Sequence, residues 1–585
     1  MPKVFKYFRP IEWVELLICV LLIMLCVYSD LKVPDYMSNM TTLLTTPGTT
    51  TDDIWGVGIF MIIYSLISFA ATIVVILLAA RIASGVSFNL RHLEFEAVEG
   101  YSMTEINRFS TSSLINRSTN DITQVQFVIA LGTMLIVRAP VMCIWAISKI
   151  VDKDWHWTAT TAVAVVIMLG IMITIVALVF PKFKRIQSLT DDINRLTEEN
   201  LTGIRVVRAY NAEGYQTEKF EETNTDLTGT MLFSMRTLAL LNPVMMLIMN
   251  GLTLAVYWVG AGLINAAGMA DKYLLFSDMV VFSAYAIQIV MSFLMLVMIF
   301  ILLPRASVAA RRIAEVIETP SSIKDGDRDK GDEDKKGTVE FRNVSFRYAD
   351  GGANVLSDIS FKAEKGETVA IIGSTGSGKS TIINLIPRFY DATEGEVLVD
   401  GVNVKDYTGR ALRKKIGYVS QRAVVFRGTI RSNIEYGDNF DREATDEELM
   451  KAVRIAQADD FVSALEDGLD TDIAQAGQNL SGGQKQRLSI ARAVARNAEI
   501  YIFDDSFSAL DYRTDKILRK ALSEEMSDAT KIIVAQRIGT IKNADRILVI
   551  DEGRIVGEGT HDELMKDCEV YREIAYSQLS KEELD

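Results

Sequence analysis

The chain reads as an all-α six-helix transmembrane domain with long cytoplasmic helix extensions, followed by an α/β domain. Three observations carry this reading. Six apolar stretches crowd roughly the first 305 residues, a charged segment follows at 320–337, and beyond it short apolar runs alternate with glycine-rich loops. The averages conceal the division. A hydrophobic share of 49% is ordinary, yet mean hydropathy is +0.19, as two unlike halves would produce. At roughly 150 residues per domain, 585 residues hold material for three or four.

The apolar stretches lie near 13–29, 55–80, 127–148, 158–180, 237–266 and 279–303. Crossing a bilayer takes about 20 apolar residues at a rise of about 1.5 Å each, so five qualify outright. The first is short and carries Glu12 and Glu15 near its start. The following segment, from Asp30 to Pro34, makes a poor cleavage site, so this stretch reads as a retained span. Lys3, Lys6 and Arg9 precede it, whereas the predicted outer loop holds Asp30, Asp35, Asp52 and Asp53 against Lys32. Positive charge stays inside, so the amino terminus and, after six spans, the rest of the chain face the cytoplasm.

The inner connections, about 81–126 and 181–236, are long, charged and free of glycine or proline clusters. Each can form two helices of about 22 residues, reaching roughly 30 Å beyond the membrane. Helical composition from Ser188 to Asn200 favours such extensions over small inserted domains. Their tips, around Ser102–Arg108 and Ala212–Tyr215, are expected to be short crosswise helices near Gln421. Between Pro320 and Gly337 acidic and basic residues dominate, and Ile323 is the one aliphatic residue. Such a segment buries too little to offset ordering, and reads as a solvated linker. The expected domains are therefore 1–319, a linker at 320–337, and 338–585.

Composition removes several functions. A net charge of -14 argues against nucleic-acid binding. Four cysteines, Cys19, Cys26, Cys143 and Cys568, form neither a disulfide scaffold nor a CxxC metal pair. Three histidines leave little room for imidazole chemistry.

Gly373, Ser374, Thr375, Gly376, Ser377, Gly378, Lys379 and Ser380 match GxxxxGK[ST]. The apolar run 368–372 reads as a buried strand before this loop, and 381–386, opened by Thr381, as the helix after it. Glycines let backbone N–H groups wrap phosphates, Lys379 would reach the β- and γ-phosphates, and Ser380 would ligate magnesium. About 125 residues on, the run 500–503 reads as a buried strand ending in Asp504 and Asp505. Asp504 suits the magnesium-side carboxylate of a Walker B motif.

Between these lies Leu480, Ser481, Gly482, Gly483 and Gln484, ahead of a helix-prone segment. Here the sequence resembles ATP-binding cassette (ABC) proteins, and the order of six spans, linker and cassette resembles ABC exporter half-transporters. The resemblance implies an α/β P-loop ATP-binding cassette that uses ATP and Mg2+. It implies that Tyr348 stacks on adenine, that Gln421 links magnesium to the membrane domain, and that Asp511 is the D-loop aspartate. It also implies that Ser481, Gly482, Gly483 and Gln484 cradle the ATP of a second cassette, so that two chains work together.

Two positions depart from the family. Its catalytic glutamate after the Walker B aspartate is Asp505 here, one methylene shorter, which withdraws the carboxylate by about 1.5 Å. Its switch histidine is replaced by Gln536. With the binding residues intact, this resembles the degenerate half of heterodimeric bacterial multidrug exporters, and the segment 107–121 fits the same group. The implied partner is a second half-transporter carrying a Walker B Glu and a switch His, and the implied location is a bacterial cell (inner) membrane. A slow homodimer is the competing assembly.

For substrate, Gln288, Met291, Met295 and Met298 share one face of the sixth span. Methionines suit adaptable surfaces for amphipathic small molecules, and serve ordinary packing or lipid contact equally well. Arg138 falls near mid-membrane, where a charge marks a pathway or a structural ion pair. Asn242-Pro243 and Asn250-Gly251 suggest irregularity in the fifth span. Export of amphipathic compounds leads. Lipid or peptide export on the same scaffold, and a nucleotide-gated regulatory or channel-like module, are the alternatives.

Overall fold

The computed structural model describes residues 2–46, 48–151, 155–349, 351–437 and 444–578, so 579–585 of the expected second domain lie outside the described residues. The chain divides into two units, one of residues 1–97 and 112–318, the other of 98–111 and 319 onward. The principal helices up to the division are α1 (Pro10–Thr45), α2 (Thr51–Glu99), α3 (Met103–Phe109), α4 (Ile122–Val151), α5 (Trp155–Thr202), α6 (Glu213–Ala239), α7 (Leu241–Ala266) and α8 (Met269–Glu318). Six helical stretches among the described residues are long and apolar enough to span a membrane, with α6 and α7 forming one of them.

As the charged connections predict, α2 and α5 run on past their apolar stretches to Glu99 and Thr202, and α6 leads from Glu213 toward the fifth span. The core of the first unit holds Ile23, Trp157, Phe282 and Tyr285, all essentially inaccessible. Trp157 keeps its indole N–H satisfied by donating to the Val256 carbonyl at 3.1 Å. Gly260 lets α7 approach α8 closely, because a Cβ there would collide with Met279.

The first span differs from the expected 13–29. Helix α1 runs unbroken through Asp30 and Asp35, residues the charge pattern assigns to an outer loop. Partners elsewhere in the bundle explain this. Arg138 meets Asp30 at 2.8 Å, Lys149 meets Asp35 at 2.8 Å, and Tyr285 donates to Asp35. At the other end Glu12 accepts from the Arg9 backbone N–H at 2.8 Å, and Glu15 pairs with Arg81 at 2.9 Å. The acids of this span are therefore a cap and ion pairs. The fifth span breaks only at Leu240, ahead of Pro243, and Gly251 lies inside a continuous helix.

Of the two tips, the first is the short helix α3, part of the second unit. Ser102 caps it, exchanging hydrogen bonds with Glu105 and the Thr104 N–H. The second differs from expectation. The short helix lies at Ile204–Ala209, and Ala212 already precedes α6.

The second unit contains β1 (Val339–Phe346), β2 (Leu356–Ala363), β3 (Thr368–Gly373), α9 (Lys379–Leu385), β4 (Glu394–Val399), β5 (Val402–Asn403), β6 (Ile416–Val419), α10 (Gly482–Ala495), β7 (Ile500–Asp504), β8 (Thr530–Val534), β9 (Arg546–Asp551), β10 (Arg554–Gly559) and α11 (Glu569–Gln578). An antiparallel sheet has the order β2-β1-β4-β5. A six-stranded sheet has the order β10-β9-β3-β8-β7-β6, parallel except for the β10 edge. Its inner strands are continuous apolar runs because both faces are covered. The parallel direction delivers the ends of β3, β8, β7 and β6 to one edge, where ligands of open α/β sheets bind.

The charged segment is not a loose linker. Its backbone forms a strap on the second unit: Arg328 N–H donates to Asp406 O and Thr408 N–H to Arg328 O, both at 2.9 Å. Asp332 N–H donates to Asp400 O at 3.0 Å, and a Cβ on Gly331 would collide with Asp400 and Tyr407. Backbone hydrogen bonds order what side-chain burial does not.

Candidate nucleotide site

The loop after β3 carries the phosphate-loop sequence. Gly376 and Gly378 have φ of +86° and +101°, which glycine alone adopts freely, and a Cβ on Gly373 would strike the Ile550 carbonyl. The backbone can therefore fold tightly around Lys379, whose Nζ donates to the Gly373 and Ser374 carbonyls at 2.9 and 2.6 Å. Ser374, Thr375 and Gly376 form the exposed tip. Ser377 Oγ is buried and meets no partner among the described residues, which leaves an orphaned donor within the loop.

Ser380 Oγ donates to Asp504 Oδ1 at 3.0 Å. The two residues lie 124 positions apart in sequence, and β3 and β7 bring their oxygens together. Hydroxyl and carboxylate suit magnesium, which uses few protein ligands and fills the remainder with water and phosphate. On the other side of the loop, Thr381 Oγ1 and Tyr348 Oη lie 3.1 Å apart, and Tyr348 meets Tyr390 edge to face at 5.3 Å. Tyr390 Oη accepts from Asn107 Nδ2 at 3.1 Å, so α3 is joined through Tyr390 to the residue expected to stack on adenine.

The remaining residues gather at Asp505, which is 9% exposed and has a φ of +46°. Asp is among the few non-glycine residues that tolerate this left-handed conformation. Its Oδ2 accepts from Gln536 Nε2 at 2.9 Å and from Gln421 Nε2 at 3.4 Å. Burial raises the Asp504 and Asp505 carboxyls above the ordinary aspartate range, partly offset by the Ser380 hydroxyl at Asp504 and by Ser508 and Gln421 at Asp505. Burial lowers the Lys379 ammonium, opposed by Asp505 and Asp504.

The structure thus brings Tyr348, the 373–381 loop, Gln421, Asp504, Asp505 and Gln536 to one sheet edge. Asp511 caps the helix Tyr512–Glu525, accepting from Thr514 N–H at 3.0 Å. Ser481 and Gln484 cap α10 reciprocally, with Ser481 N–H on Gln484 Oε1 at 2.8 Å. No hydrogen bond joins 481–484 to the phosphate loop among the described residues, and a Cβ on Gly482 would meet nothing within 4 Å.

Sequence reasoning missed Gln578, at the end of α11. Its Nε2 donates to Gln536 O at 2.7 Å and its Oε1 accepts from Ile538 N–H at 2.8 Å. No motif surrounds this residue, so no sequence signal pointed to it. Tyr390 and Asn107 were missed as a pair for the same reason.

Two family profiles match the chain, that of the ABC transporter transmembrane region over residues 16–293 and that of the ABC transporter over 356–508. The chain belongs to the ABC transporter family. An uncharacterized ABC transporter ATP-binding protein of Mycobacterium tuberculosis is 42% identical over 502 residues, 86% of this chain and 85% of its own. YfiB of Bacillus subtilis, also an uncharacterized ABC transporter ATP-binding protein, is 34% identical over 90% of each chain. An ATP-dependent lipid A-core flippase of Pseudomonas fluorescens is 33% identical over 83% of this chain and 79% of its own. In fold, the chain is similar to a bacterial Atm1-family ABC exporter with ATP bound, with a TM-score of 0.80 over 97% and 98% of the two chains at 24% identity. This ABC protein is an exporter half-transporter, with membrane and ATPase domains fused in one chain, as the motifs led us to expect.

Proposed function

We propose that the chain is the degenerate-site subunit of a heterodimeric exporter of amphipathic compounds, residing in a bacterial inner membrane with its cassette cytoplasmic. The observation that carries the reading is the contact of Gln536 Nε2 with Asp505 Oδ2. These residues stand where the family places its switch histidine and catalytic glutamate. A base must reach within about 2.6–3.2 Å of the proton that it takes from water. The Asp505 carboxylate is instead short, held by two amide donors, and next to no imidazole.

Binding is preserved in this reading. Tyr348 stacks on adenine, the 373–381 loop and Lys379 hold the phosphates, and Ser380, Gln421 and Asp504 hold Mg2+. Magnesium supplies neutralisation of phosphate charge when bound. Ser481 to Gln484 lend their cradle to the partner's ATP, with the open space at Gly482 left for it. Most turnover then comes from the composite site at the partner's P-loop.

The test compares matched substitutions in the assembled transporter. Changing the partner's catalytic glutamate to glutamine is expected to stop ATPase and transport, on the order of a hundredfold, whereas Asp505→Asn changes them only a few-fold. Equal damage from both would show equivalent sites and overturn the reading. Similarity to the lipid A-core flippase favours lipid export as the second reading. Transport assays with labelled lipid and labelled amphiphile separate the two.

A further inference from the structure

Within the first unit, α1, α4 and α8 line an open cavity of about 410 Å³, bordered by Asp30, Arg138, Gln288, Met142, Met291 and Met295 among others. That volume lies within the range of small-molecule sites, about 300–1,000 Å³. Arg81 stands at the cytoplasmic end of the apolar part of α2. Ser68, which donates to Asp30 Oδ1 at 2.6 Å, lies 13 residues before Arg81 in α2, or about 20 Å along the axis. The polar end of the cavity is therefore near the middle of the apolar stretches 55–80 and 127–148.

Its polar groups are arranged unusually for hydrocarbon depth. Arg138 donates through Nη2 to Asp30 Oδ2 at 2.8 Å, a pair with no net charge that engages one of five guanidinium N–H groups. Gln288 Nε2 lies 3.5 Å from the Asp30 carbonyl, while its Oε1 is buried and meets no donor among the described residues. The site therefore holds spare donors on Arg138, a carboxylate, and an unmet acceptor beside it, with flexible methionines along one wall.

A singly charged ligand entering here has to leave one member of the half-buried Arg138–Asp30 pair uncompensated, which is costly at hydrocarbon depth. A zwitterion leaves neither. We propose that this cavity binds the head group of a zwitterionic amphiphile that splits the pair, its anionic group on Arg138, its cationic group on Asp30 and beside Gln288 Oε1, and its apolar body against Met142, Met291 and Met295. The proposal rests on the amphiphile-export reading above and narrows it to one charge class. A bilayer phospholipid and a soluble compound can both supply this chemistry.

The experiment measures ATPase stimulation of the assembled transporter in vesicles by dodecylphosphocholine, dodecyltrimethylammonium and the diester dodecyl methyl phosphate below their micellar concentrations. Dodecylphosphocholine is expected to half-saturate at a concentration at least about tenfold lower than either singly charged probe. Arg138→Gln and Asp30→Asn should each abolish that preference, and the double exchange Asp30→Arg with Arg138→Asp should restore it, which separates recognition from folding. Vesicles of phosphatidylethanolamine against phosphatidylglycerol distinguish the sources. Competition by the former alone identifies a bilayer lipid, and equal response in both identifies a soluble ligand; either supports the zwitterion site. Stimulation by the cationic probe equal to that by the zwitterion, or a preference that survives both single substitutions, overturns the proposal while leaving amphiphile export standing. No stimulation by any of the three overturns amphiphile export itself.

Discussion

Gln536 donates from Nε2 to Asp505 Oδ2 at 2.9 Å, and its own backbone carbonyl accepts from Gln578 Nε2 at 2.7 Å. One glutamine therefore ties the carboxylate at the end of β7 to α11. In the degenerate-site reading proposed above, this hold keeps the carboxylate from acting as a base.

Restoring the family residues should release this hold. Asp505→Glu with Gln536→His is expected to raise basal ATPase by about tenfold or more, given that about 1 Å of displacement can cost a hundredfold. Steady-state phosphate release checks this, and either substitution alone should recover much less.

The Gln578 clamp should matter for turnover more than for folding. Gln578→Leu removes two hydrogen bonds at the protein surface, costing about 1–3 kcal/mol. We expect a fall of a few degrees in the unfolding midpoint and a measurable change in nucleotide release. Gln578→Glu keeps the acceptor for Ile538 N–H but loses the donor to Gln536 O, and should reproduce the kinetic change with less loss of stability.

Gly482→Leu should fold normally, because its Cβ meets nothing within 4 Å and its φ lies outside the left-handed region. It should nevertheless remove most ATPase of the assembled transporter, about a hundredfold, while ATP still binds at Lys379. Nucleotide binding and turnover measured side by side test this, and undiminished turnover would show that the signature serves no second site.

The buried carboxylates give a pH dependence. Folding raises Asp504 and Asp505 above the ordinary value of 3.8. Their contribution to stability is thus full below that value and is lost as pH rises through their folded values. Above their folded values both are ionised at a cost to the nucleotide-free fold. Asp505→Asn, which keeps a side chain suited to positive φ, should therefore raise the unfolding midpoint at pH 8 and have little effect near pH 4. Excess magnesium should shrink the difference at pH 8.

Asn107 and Tyr390 connect α3 to Tyr348. Tyr390→Phe removes the hydroxyl that accepts from Asn107 and retains the ring against Tyr348. ATP affinity should be nearly unchanged, and substrate stimulation of ATPase should fall severalfold. Comparing basal with stimulated rates tests this.

The sequence by itself determined the features carried by contiguous residues. Span number follows from apolar length, the phosphate loop from glycine spacing, and the end of β7 from an apolar run closed by two aspartates. Each is a local cost or gain that neighbours in the chain settle. The helix extensions were legible for the same reason, since nothing in those segments stops a helix. Tertiary structure decided what depends on partners far along the chain. Asp30 continues α1 because Arg138, 108 residues later, neutralises it in place. The strap at 326–332 is ordered because the backbone near Asp400 and Tyr407 offers hydrogen bonds, which composition does not encode. Gln536 was visible as a substitution, but its grip on Asp505 exists only because β7 and β8 lie side by side, with Asp504 opposite Val534. Gln578 reaches the same loop only once α11 has packed. Burial and pairing energies depend on what the fold brings within about 3 Å, and that distance is a property of packing rather than of sequence spacing.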